Sequence, residues 1–392
     1  GPGWRHTGDS RPKMYFHYAL WLWIALCLGD SGVQHACQEI CFCKQGTLFV
    51  NCSGASVSAD LILPPETEHL DLSNSNLHSV PRRGLRLLRR LQVLLLSSNH
   101  ISGMEQSPFI SLQRLHKLDI CKNEIASLGN SFSVGLIFLY ELTLAYNRLQ
   151  ELQYQSFQHF ENLQKLNLQN NNISSIQAGA FRSLTRLRQL CLQHNHLATL
   201  QSGVFSVLQH LEVLNLEGNW IKAIAPGVFA SLSRLTVLNL VHNRIERIRF
   251  KTLLALQTPG TRIFLTHNPW YCDCDLQRVF AKLHSVRSLI LDDYPNVTCN
   301  EPPVLRSLPL LSVETHQLGS FYEQESSFSK TVFAVYTSYA SFFMTPESTG
   351  ATDSSRQMRI RSIAFILKRS PMLNSREQLQ FLWEKAPAGG TP

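Results

Sequence analysis

Cysteines carry the most obvious chemistry in this chain. Cys37, Cys41, Cys43 and Cys52 follow the pattern C-x3-C-x-C-x8-C, a grouping able to hold a zinc ion or to pair as disulfides. Cys272, Cys274 and Cys299 form a second group, whose odd count leaves one thiol over. Cys121 and Cys191 stand apart, and neither has an evident base or resolving partner to make it a catalytic nucleophile. Arg82, Arg83, Arg86, Arg89 and Arg90 form a dense basic run. It reads either as a heparan sulfate site or as a solvated outer face, and the folded spacing decides between them. There is no G-x-S-x-G, H-E-x-x-H or phosphate-binding loop, so an enzyme is not expected.

The elements that position these residues follow from a repeat. Leu163, Leu166, Leu168, Asn171 and Ile173 spell L-x-x-L-x-L-x-x-N-x-L. The Asn recurs at Asn99, Asn123, Asn147, Asn171, Asn195, Asn219 and Asn243, always 24 residues on, with Ser75 before the series and Asn268 after it. Leu166 and Leu168 are two apart, so a short strand points both to one side. The Asn amide can satisfy backbone groups where the chain leaves the strand. Ten residues beyond the Asn come Phe109, Phe157, Phe181, Phe205 and Phe229. Thirteen beyond it come Leu112, Leu136, Phe160, Leu184, Leu208, Leu232 and Leu256. One coil cannot bury these side chains alone, whereas stacked coils share a continuous core. The expected fold is an α/β solenoid, a curved horseshoe with a parallel sheet on its concave face.

Outward positions of that sheet make the expected ligand surface: Lys117, Asp119, Lys122, Glu141, Thr143, Tyr146, Lys165, Asn167, Asn170 and His194. It is a mixed polar surface with an aromatic anchor, a composition suited to a protein partner. Ala145, Cys121 and Cys191 are expected on the same face. His242 and His267 share a column in neighbouring coils and could form a pH-sensitive or metal pair, but no third ligand is evident. No cofactor, metal or nucleic acid is called for.

The formal charge is +8, a moderately basic balance compatible with polyanion contacts. Residues 1–13 are polar and precede Met14, the expected start. Residues 14–36 read as a signal peptide, too short in its apolar part to span a bilayer. The expected order is then a cysteine cap at 37–66, about eight to nine repeats at 67–267, a cap at 268–318, and a low-order tail at 319–392 with no membrane span. Asn51, Asn172 and Asn296 begin N-x-S/T sequons, expected glycosylation sites.

The N-terminal cysteine pattern, the repeats, and the run Asn268-Pro269-Trp270-Tyr271-Cys272-Asp273-Cys274-Asp275-Leu276 together resemble the extracellular leucine-rich repeat family with cysteine-rich caps. The resemblance covers roughly residues 37–318. It implies disulfides Cys37–Cys43, Cys41–Cys52 and Cys272–Cys299. The family's fourth C-terminal cysteine is missing after Leu318, which leaves Cys274 alone and marks residue 319 as the expected start of a variant ending. The resemblance further implies a secreted or extracellular, non-enzymatic module that binds a protein ligand or receptor on the concave face, in adhesion or signalling. A longer, membrane-anchored form is compatible with it. The alternative is a matrix protein that binds collagen or glycosaminoglycan.

Overall fold

The computed structural model describes residue 37 and residues 40–313, apart from 45–47, 58–60, 105–106 and 257. The expected signal segment, the residues before Met14, and the tail from residue 319 lie outside the described residues.

Each repeat builds one coil around a three-residue strand whose middle leucine is buried. Leu142, Leu166, Leu190 and Leu214 sit opposite one another in successive strands. Their flanking residues face the open side of the sheet. Stacking gives a 12-stranded sheet. Its first strand, Phe42–Lys44, runs antiparallel to Phe49–Asn51, and the rest run parallel as far as Leu289–Leu291. The return arms are mostly turns, because a 24-residue coil leaves little room for helix. Two pairs of return arms add short parallel ladders, Glu151–Leu152 with Ser175–Ile176 and Thr199–Leu200 with Ala223–Ile224.

The asparagines act as the sequence implies. Asn171 Nδ2 donates to Leu144 O at 3.0 Å in the preceding coil and to Leu168 O at 3.1 Å in its own. Its Oδ1 accepts from Leu149 N at 3.0 Å. One buried amide thus satisfies backbone groups of two coils, and the pattern repeats from Asn99 to Asn268. Ser75 is too short for this, so Asn99 Oδ1 accepts from both Ser75 N and Leu77 N, while Ser75 Oγ donates to Cys52 O in the cap.

A phenylalanine column runs through the core. Phe181 lies 6.3 Å from Phe205, and Phe205 lies 6.5 Å from Phe229, with nearly parallel rings. Ser133 occupies the column's slot in one coil, and Phe132, one residue earlier, fills the gap at 5.9 Å from Phe109 and 6.0 Å from Phe160. Burying these rings together with the leucines of every coil is the main favourable term for folding.

Both ends of the core are closed. The disulfides are Cys37–Cys43, Cys41–Cys52 and Cys272–Cys299, as the resemblance implied; the zinc alternative for the N-terminal cluster is therefore set aside. The helix Cys274–Ser285 buries Leu276, Phe280 and Leu283, and its N-terminus is capped by Asp273, whose side chain accepts from Leu276 N at 2.8 Å. Trp270 packs edge-on against Phe280 at 5.4 Å. Among the described residues no helix is long and apolar enough to cross a membrane, and no group of three or more acidic, His or Cys side chains could hold a metal ion.

Candidate functional site

Around the middle of the sheet, Lys117 Nζ lies 2.8 Å from Glu141 Oε1 on the next strand, and Lys165 Nζ lies 3.9 Å from Glu141 Oε2 on the strand after that. The 24-residue register creates this cation–anion–cation row, because Lys117, Glu141 and Lys165 are direct partners in the ladder. Tyrosines flank the central strand. Tyr140 precedes it at 41% exposure, and Tyr146 follows it at 47%. Lys165 sits over the Tyr140 ring at 5.9 Å, and Lys122 over the Tyr146 ring at 6.0 Å. The tyrosines are large, rigid and amphipathic, the kind of side chain that anchors protein interfaces. Tyr146 is among the outward positions expected from the sequence, and Tyr140 is not. The latter precedes the strand, in the slot that Gln164 and Arg188 fill elsewhere, outside the alternation used to choose outward positions.

Lys122, Tyr146, Asn170 and His194 share a further property. Each immediately precedes the buried Asn and holds φ between 53° and 56°, in the left-handed region. Such a turn lets the chain leave the strand at once, and it costs a non-glycine residue about 1–2 kcal/mol. The anchored Asn next door holds the turn in place. Gly218 occupies the same slot, and the His194 imidazole lies across it: an added Cβ would meet His194 Nδ1 at 2.4 Å.

Two expected ligand residues turn out to have backbone duties. Asp119 Oδ1 accepts from Cys121 N at 2.9 Å, and Asn167 Oδ1 accepts from Gln169 N at 3.1 Å. Asp71, Asn215 and Asn239 close the same local turn in their own coils. The residue type in this column is therefore set partly by the turn. Thr143 fills the column beside them without that bond and is half-buried.

The expected exposure of Ala145 and Cys191 is corrected. Ala145 is 2% and Cys191 9% exposed. Both side chains are small, and Gln189 Nε2 reaches Cys191 Sγ at 3.5 Å. Burial raises the pKa of Cys191. Cys121 is pushed up to about 12, first by burial and then by the charge and hydrogen bond of Asp119. Both thiols are held protonated at neutral pH, the opposite of what a nucleophile needs. His242 and His267 do stack, at 4.1 Å.

Along the edge where the strands turn off, a second aromatic row occurs. His196 packs at a tilt against Trp220 at 4.3 Å, and the Arg244 guanidinium lies 4.7 Å from the same ring. Trp220 is 43% exposed. The sequence reading overlooked it, although all three residues follow the repeat Asn by one. Asn172, a sequon, occupies that slot one coil earlier and is exposed. Asn296 is exposed in the C-terminal cap, whereas Asn51 lies on the first strands of the sheet itself, opposite Asp71.

Comparison with known proteins agrees with this geometry. The leucine-rich repeat family model matches residues 138–197 and 191–245. No curated protein sequence matches the chain. Among solved structures, a chain of the octameric complex of Latrophilin 3, Unc5D and FLRT2, in which FLRT2 supplies the leucine-rich repeats, is similar at 21% identity, with 71% of this chain and 98% of that one covered and a TM-score of 0.59. Human 5T4 (Wnt-activated inhibitory factor 1, trophoblast glycoprotein) is similar at 25% identity, over 72% of this chain and 98% of that one, with a TM-score of 0.53. A chain of the Drosophila Toll–Spatzle complex is similar at 22% identity, over 68% of this chain and 41% of that one, with a TM-score of 0.58. The chain carries a leucine-rich repeat domain, a parallel-strand solenoid with disulfide-bonded caps at both ends.

Proposed function

We propose that the protein is an extracellular recognition module that binds a protein ligand on the concave sheet face, in adhesion or signalling. The observation that carries this reading is the pair of exposed tyrosines, Tyr140 and Tyr146, at the two ends of the strand Glu141–Thr143, with the Lys117–Glu141–Lys165 row between neighbouring strands. Hot spots gather where rigid aromatic residues sit near the centre of a surface, ringed by polar groups that exclude water. Two similar structures are themselves complexes, one with Unc5D and Latrophilin 3 and one with Spatzle. The three disulfides suit an oxidising compartment, and residues 14–36 serve as the secretion signal in this reading. Glycans on Asn172 and Asn296 stand off the sheet, and one on Asn51 covers only its first strands. The ligand therefore uses the middle and later strands.

A tetramerised, secreted form of the chain, used to stain cells that each display one surface receptor, tests the reading. Staining that is lost in Tyr140→Ala and Tyr146→Ala, with the melting temperature kept, supports it. Staining unchanged in both variants contradicts it.

A further inference from the structure

The proposed sheet-face function does not use the arginine run, and the fold gives that run a shape the sequence does not show. Arg82–Leu85 form a short helix, and Arg86 N continues the turn by donating to Arg82 O at 3.0 Å. Gly84, Leu85, Leu88 and Leu91 are buried, and Gly84 is pressed so close to the N-terminal cap that a Cβ would meet Leu61 O at 2.7 Å. The arm is therefore pinned by its buried residues, and Arg82, Arg83, Arg86, Arg89 and Arg90 are all exposed.

The next coil adds to it. Leu94 pairs with Leu118, so positions 24 apart are neighbours in the stack. Arg90 and Arg114 occupy the same slot of adjacent coils, each exposed and each just before a fully buried leucine, Leu91 or Leu115. Neighbouring strands stand about 4.8 Å apart, so the two guanidinium stems rise side by side. In the following coils the slot holds Phe138 and then Asn162, and Arg186 beyond them donates to Asn162 Oδ1 at 2.9 Å. The basic surface thus ends after two coils. Between Asn76 and Leu118 the sequence holds Glu105 as its sole acid.

We propose that Arg86, Arg89, Arg90 and Arg114 form a binding site for a sulfated glycosaminoglycan chain, on the return arms and apart from the sheet face. Guanidinium forks match sulfate and carboxylate oxygens two at a time. A line of them across two coils fits a polymer carrying anions at regular intervals. An acidic protein surface fits less well, because Leu87 is the one large exposed apolar side chain on the arm 82–91 and the exposed aromatic Phe138 stands one coil beyond Arg114, outside the arginines.

The test is binding of a fluorescent heparin dodecasaccharide over a salt series, with Arg114→Ser as the informative variant. Arg114 lies outside the sequence run and belongs to the site through the stacking register alone. Arg114→Ser and Arg90→Ser should each weaken binding about severalfold and flatten the salt dependence, as expected when one anion contact is lost. Arg89→Ser, Arg90→Ser and Arg114→Ser combined should weaken it by about tenfold or more. Arg234→Ser and Tyr146→Ala should leave it unchanged, which separates this site from the sheet face. Melting curves of these surface variants should match the parent. The proposal is overturned if the triple variant binds as the parent does, if Arg114→Ser has no effect, if fully desulfated heparin binds equally well, or if poly-glutamate competes as strongly as heparin. The last outcome would make an acidic protein the occupant.

Discussion

Glu141 stands between Lys117 and Lys165, 2.8 Å from one ammonium and 3.9 Å from the other, in the middle of the sheet. A carboxylate shared by two partly exposed lysines contributes little to folding, because water screens each pair. In the proposed function its position beside two exposed tyrosines gives it another use, which is to fix the charge pattern that a ligand meets. Glu141→Gln should therefore change unfolding stability by less than about 1 kcal/mol, measured by urea denaturation. The same variant should alter the salt dependence of ligand association. A loss of several kcal/mol would make the row structural.

The asparagine ladder behaves oppositely. Asn171→Ala leaves Leu149 N buried without its partner, while Leu144 O keeps only the bond from Asn147 Nδ2. An orphaned buried group costs about 1–3 kcal/mol, so the variant should lose at least about 1 kcal/mol in urea unfolding. Asn172→Ala, one residue on and exposed, should lose almost nothing. Equal effects of the two would contradict the assigned hydrogen bonds.

His69 gives a pH dependence with a definite sign. Burial lowers its pKa from the ordinary 6.5, Asp71 opposes this, and Lys117 adds to it. Its Nδ1 is buried without a hydrogen-bond partner, and its ring packs on Phe49 at 4.6 Å. The unfolded chain takes up a proton here first, so the contribution is whole above 6.5 and is lost as pH falls from there toward the lower folded value. The melting temperature of the parent should drop on acidification more steeply than that of His69→Phe. Parallel curves would show that the imidazole folds without this penalty.

Cys121 and Cys191 should resist alkylation. Both are shifted toward the protonated thiol, and Cys191 is also buried. Iodoacetamide at neutral pH should modify them far more slowly in the folded protein than in urea, and Cys191→Ser should retain all ligand binding. Rapid modification of Cys191 in the folded protein would mean that the sheet face opens there.

The repeat was legible in the sequence because one coil's spacing, repeated without drift, fixes both the leucines and the asparagines. The cap disulfides were legible from the resemblance alone, since cysteine spacing leaves pairing open. The site was legible only in part. Alternation along a strand puts Glu141 and Lys165 on the open side of the sheet, where the structure has them, but it breaks down where the chain leaves the sheet. There Ala145 is buried, and Tyr140 and Trp220 emerge at positions that alternation does not count. Asp119 and Asn167 looked like free polar groups because a bond to a backbone N–H two residues away has no signature beyond the residue type.

Glycan wedging tests the central claim most directly. Gln169→Thr places a sequon on Asn167, on the sheet face beside Lys165, and Ser183→Asn places one on a return arm. Both forms are secreted as tetramers and used to stain cells that display single surface receptors. If the concave face holds the ligand, the wedge at Asn167 abolishes staining and the wedge on the return arm leaves it intact. Staining that survives the first wedge and is lost with the second would place recognition on the outer surface and contradict the account.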